Sequence, residues 1–166
     1  MRRRKGLSGI RAGGLIAALL VSTGVAAGGT SPLTVNAKIL GVCKVTTAPA
    51  TLNFGTIDPS SAVNATASTT FVMKCSNGIT STAATSNNGL FFSVTKRMRH
   101  SASASFLPYA ISFSNDTGFA GAGFAAGAAS RTITVNGTIT PAQFAGARAT
   151  TGAQVYSDTV TITVNP

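Results

Sequence analysis

Residues 159–164 read Thr-Val-Thr-Ile-Thr-Val. Strict alternation of apolar and hydroxyl side chains has period two, so Val160, Ile162 and Val164 line one face and the threonines line the other. One face meets a core and the other meets water, the pattern of an antiparallel sheet. The same period recurs upstream. Leu33, Val35, Ala37 and Ile39 alternate with polar residues, Phe71, Met73 and Cys75 with Val72 and Lys74, and Ile133 and Val135 with threonines. Tyr109, Ile111 and Phe113 alternate with small residues. Turn formers separate the runs: Asp58-Pro59, Ser76-Asn77-Gly78, Asn87-Asn88-Gly89, Asp116-Thr117-Gly118 and Asn136-Gly137. Seven strands are predicted, near 33–45, 51–55, 68–75, 89–95, 107–114, 131–140 and 155–165. That number suits an all-β chain folded as an immunoglobulin-like antiparallel sandwich. No amphipathic helix is expected.

At the other end, Met1-Arg2-Arg3-Arg4-Lys5 is a basic segment, Leu15 to Val21 is apolar, and Gly24 to Gly28 is small throughout. This is the order of a secretory signal peptide, assigned to residues 1–27. The apolar run falls short of the roughly 20 residues that a membrane span needs. No membrane span is therefore expected once the signal is removed. Of the 13 Lys and Arg, five leave with the signal; eight remain against three Asp, a net charge of +5 rather than +10. With no cluster of basic and aromatic residues along the chain, this excess is thin ground for nucleic-acid binding, and none is expected. The remaining residues are enough for one domain with a real core. They divide into an N-terminal extension at 28–41 and a domain at 42–166.

Cys43 and Cys75 are the only cysteines. In an oxidising compartment, two cysteines beside predicted strands read as a disulfide. A metal site would need partners, and the chain has one histidine, His100, and no carboxylate cluster. No metal or other cofactor is expected. Catalysis by acid and base needs a positioned histidine or paired carboxylates. Asp58, Asp116, Asp158 and His100 are each isolated in sequence, Asp58 and Asp116 in turn-forming contexts. No Gly-x-Ser-x-Gly elbow surrounds any serine. The expectation is a protein that is not an enzyme. Lys96, Arg97, Arg99 and His100 read as a polar loop between strands, a solvated hairpin tip or else a patch that contacts an anionic ligand or glycan. Thr117 to Ser130 is rich in Gly and Ala and reads as a loop with Phe119 and Phe124 dipping into the core, or else as an exposed contact surface.

Several motifs in fixed order resemble the spore coat protein U family, whose members include subunits of archaic chaperone–usher pili. They are Gly41-Val42-Cys43-Lys44-Val45, Leu52-Asn53-Phe54-Gly55-Thr56-Ile57-Asp58-Pro59, and Val72-Met73-Lys74-Cys75 followed by Gly78. Phe106-Leu107-Pro108-Tyr109, Gly137-Thr138-Ile139 with Pro141-Ala142-Gln143, and Tyr156 to Val164 complete the set. The chain departs from the pattern where Phe119 to Ala129 replaces a Trp-Gly pair, at Pro32, and at its Asn165-Pro166 end. The resemblance implies a sandwich lacking its final strand, completed by donor-strand exchange. It also implies a periplasmic chaperone, an outer-membrane usher, and identical or homologous subunits as partners. Leu33, Val35, Ala37 and Ile39 are then the donor residues, or else the first strand of their own sheet. Val160, Ile162 and Val164 are part of the acceptor groove. The function implied is a secreted subunit of a surface pilus serving adhesion or biofilm. The alternatives are a coat protein assembled without a usher and a secreted glycan-binding module.

Overall fold

The computed structural model describes residues 29–166, so the signal assigned to 1–27 lies outside the described residues. The chain divides into two units, Met1–Ala37 and Lys38–Pro166. Of the first, residues 29–37 carry neither helix nor strand and are exposed.

The second unit is built from antiparallel strands: β1 (Cys43–Thr47), β2 (Ala65–Cys75), β3 (Thr85–Ser86), β4 (Arg97–His100), β5 (Phe106–Pro108), β6 (Ala110–Ser114), β7 (Arg131–Ile139), β8 (Tyr156–Ser157) and β9 (Ile162–Thr163). A single helical turn, α1 (Pro141–Phe144), follows β7. One layer is a four-stranded sheet in the order β1-β2-β7-β6. The other is made of β3-β9 and β5-β4-β8. Named as in an immunoglobulin domain, the first layer has the order A-B-E-D, and the second sets C (β3 and β4) beside F (β8 and β9).

Period two decides the core. On β7, Ile133, Val135 and Ile139 point inward and are 0%, 2% and 0% exposed, while the intervening threonines are not buried. Phe71, Met73 and Cys75 of β2 join them, with Phe71 meeting Phe113 edge to face at 6.4 Å. Ile162 and Val164 pack on this cluster from the second layer. At the other end of β7, Ile139, Leu107, Tyr109 and Phe144 form a second cluster, against which Met98, Tyr156 and Val160 pack. Gly137 lies on the inward row between the two. A Cβ there would stand 2.6 Å from Phe54 and 2.7 Å from Leu52, so glycine makes room for the 52–54 segment to cross the sheet. Cys43 and Cys75 face each other in the β1–β2 register and are joined as a disulfide.

The strand boundaries differ from the sequence expectation in instructive ways. The run 33–45 becomes strand only from Cys43, and 51–55 and 89–95 form none. The run 107–114 divides at Tyr109, where Pro108 ends β5 on one sheet and Ala110 begins β6 on the other. The chain thus changes layers at this tyrosine, whose N–H donates to Lys96 O at 3.0 Å. The unexpected helical turn is capped by Gln143, whose side-chain carbonyl accepts from Thr140 N–H at 2.8 Å. Phe119 enters the core at 6% exposure, whereas Phe124 stays out at 43%.

Candidate functional site

Residues 155–165 run along one edge of the second layer. The carbonyls of Val155, Thr161 and Asn165 accept from Ser101, Asn87 and Thr82 N–H, at 2.9, 3.0 and 3.1 Å. All three acceptors are odd-numbered. Successive residues of a strand direct their N–H and C=O to opposite edges. The odd residues therefore face β3 and β4, and Val160, Ile162 and Val164 turn their backbone groups the other way. Among the described residues no strand pairs on that side, since β8 and β9 are each terminal in their sheets. The side chains of the same three residues point inward and are only half-buried. An edge with free donors and acceptors thus runs beside incompletely covered apolar side chains, the arrangement that accepts an added strand.

Asp158 interrupts this edge between β8 and β9. One carboxylate oxygen accepts from Leu90 N–H and from Thr159 N–H, each at 2.8 Å, and the other accepts the Tyr109 hydroxyl at 2.6 Å. Burial, then the bonded carboxylate, push the Tyr109 hydroxyl above its ordinary range. Gly89, at φ +76°, sits against the carboxylate where a Cβ would collide with it. Asp158 therefore ties the 88–90 turn and the layer-switching tyrosine to this open edge. Sequence spacing gave no signal of this, because Tyr109 and Asp158 lie 49 residues apart.

The segment assigned as donor carries Leu33, Val35 and Ile39 at 86%, 81% and 90% exposure, and Ala37 is exposed as well. Apolar side chains of this size left so open at alternate positions have the pattern needed to fill pockets elsewhere.

The Lys96, Arg97, Arg99, His100 group is not the loop expected. Arg97–His100 is strand β4, and its alternation places Arg97 and Arg99 outward and Met98 and His100 inward. His100 is 1% exposed, stacked edge-on to Tyr156 at 5.0 Å, and its Nδ1 accepts Ala102 N–H at 3.1 Å. Burial withdraws it from any surface site. The two arginines lie over aromatic rings: Arg97 is 4.2 Å from the Phe106 ring centre and Arg99 is 5.9 Å from that of Phe91.

The residues weighed for catalysis do not converge. Asp58 accepts from Ser60 N–H and hydroxyl, which hold its carboxyl below the ordinary range. Asp116 accepts Ala84 N–H at 2.9 Å, and Asp158 is engaged as described. Among the described residues no cluster of three His, Cys, Asp or Glu has metal-binding geometry, and no helix is long and apolar enough to cross a membrane.

Comparison with known proteins finds the family described as Spore Coat Protein U domain, matched over residues 29–163. No curated protein sequence matches. Among solved structures, a chain from the CsuC–CsuE chaperone–tip adhesion subunit pre-assembly complex of archaic chaperone–usher Csu pili of Acinetobacter baumannii is similar at 21% identity. The match covers 76% of this chain and 40% of that one, with a TM-score of 0.39.

Proposed function

This chain belongs to the spore coat protein U family, and we propose that it is an exported structural subunit that polymerises by donor-strand complementation into a surface pilus. The observation that carries this reading is the unpaired edge beside the half-buried Val160, Ile162 and Val164. The alternating, exposed Leu33, Val35 and Ile39 support the complementary half. In this reading, residues 1–27 direct export and 28–41 form the extension. The extension of one subunit lies along the β8–β9 edge of the next, with Leu33, Val35, Ala37 and Ile39 directed into its core. Main-chain hydrogen bonds supply affinity, and the alternate apolar side chains supply specificity. Before assembly the open edge is an aggregation hazard. A periplasmic chaperone covers it in transit, and an outer-membrane usher exchanges chaperone for subunit at the cell surface. The role is structural, with adhesion and biofilm cohesion as the uses of the fibre.

The test is a deletion. The mature chain and a variant lacking residues 28–37 are expressed in a periplasm with a cognate chaperone and compared on unboiled gels. The intact chain is expected to give ladders and the deletion a single band, and a peptide of residues 28–41 is expected to stabilise the deleted subunit. A stable monomer from both chains would overturn the proposal.

A further inference from the structure

The outer face of the β5-β4-β8 sheet carries cations without counter-charges. Register places Arg99 opposite Phe106 on one side and Ser157 on the other, and Arg97 opposite Pro108. Phe91 and Phe106 lie 6.1 Å apart, and each has a guanidinium over its ring. Arg97 is held in place, since its Nε donates to Phe91 O at 2.9 Å. The chain has three carboxylate side chains in all, each already accepting from neutral donors, and none lies on this face. A planar guanidinium backed by a ring keeps its N–H edge free, and that edge matches a carboxylate in bidentate fashion.

We propose that this face binds an acidic polysaccharide, with Arg97 and Arg99 holding carboxylates of successive sugars. Arg97 and Arg99 are spaced about 7 Å apart along the strand, a spacing that suits a polymer with a repeating charge. Two features disfavour a nucleic acid. The faces of Phe91 and Phe106 are taken by guanidinium groups, leaving little ring surface for base stacking. Two arginines also neutralise too few phosphates for strong duplex binding.

Labelled polygalacturonate is the probe, with the full secreted chain immobilised and each variant in the same assembly state. Replacing both arginines by glutamine (R97Q/R99Q) is expected to weaken binding about tenfold. Taking the same charge from the opposite sheet (K44Q/K74Q) is expected to change it less than about twofold. R97K/R99K keeps the charge and the sheet while removing the fork and the stack, so it is expected to lose several-fold and still decides the matter if the glutamine variant does not fold. Binding that survives R97Q/R99Q or R97K/R99K intact, or that falls equally in K44Q/K74Q, would overturn the proposal. So would equal binding of neutral dextran, and tighter binding of a DNA duplex would give the face to a nucleic acid instead.

Discussion

Strand β7 and the segment 155–165 are written in nearly the same pattern, threonines alternating with Ile and Val, yet they end in different states. Ile133 and Ile139 are fully buried, whereas Val160, Ile162 and Val164 are only half-covered. The difference lies in their neighbours. Strand β7 is flanked by β2 and β6, while β9 has β3 alone. Period two fixes which way side chains point, and a partner on each edge decides whether they leave water. The same contrast separates a subunit's finished half from the half a second chain would complete.

The largest expected effect comes from cutting the covalent tie on the finished side. Cys43 and Cys75 are 32 residues apart, and replacing both with alanine is expected to cost about 3.7 kcal/mol of stability, read by urea unfolding. A loss under about 1 kcal/mol would mean that the β1–β2 pairing is held by its ladder and packing alone. A more direct contrast is between two isoleucines. Ile133→Ala is expected to cost about 3 kcal/mol, and Ile162→Ala, with its side chain half in water, about 1.5 kcal/mol. Adding the 28–41 peptide should raise the cost at Ile162 and leave that at Ile133 unchanged. If both costs are equal without peptide, the two regions are not different in the way their exposure indicates.

The all-β class, the disulfide and the longest strands were legible because they rest on unbroken alternation and on cysteine arithmetic. Strand β4 was not. Its inward row is Met98 and His100, and counting histidine as polar hid the period two that buries it. The apolar run at 89–95 misled in the opposite sense: Leu90 and Val94 are 68% and 90% exposed, and Asp158 fixes the turn there instead. The break at Tyr109 depends on which sheet each half joins, a choice made by residues far along the chain. Val160, Ile162 and Val164 could be placed on the inward face from sequence. That their edge has no partner strand among the described residues became visible only with the register. The arginine–phenylalanine stacks likewise join Phe91 and Phe106, which no spacing rule connects.

The smallest expected effect probes the hinge between the two regions. Tyr109 belongs to the buried cluster at the end of β7, and its hydroxyl reaches Asp158 on the open edge. Tyr109→Phe removes the donor while leaving Asp158 its two backbone N–H partners, so the cost at neutral pH should be about 1 kcal/mol. The pH dependence reports the surroundings of this hydroxyl. The folded state raises the pKa of this hydroxyl, chiefly by burial and then by Asp158, so it keeps a proton that the unfolded chain loses. A raised pKa gives a contribution that is complete below the unfolded value, about 10, and lost as pH climbs toward the folded value. Wild-type stability should therefore fall more steeply above about pH 10 than that of Tyr109→Phe, and the gap between them should close. Parallel alkaline profiles would show that the folded state does not raise the pKa of this hydroxyl, so that it is neither buried nor held by the carboxylate as described.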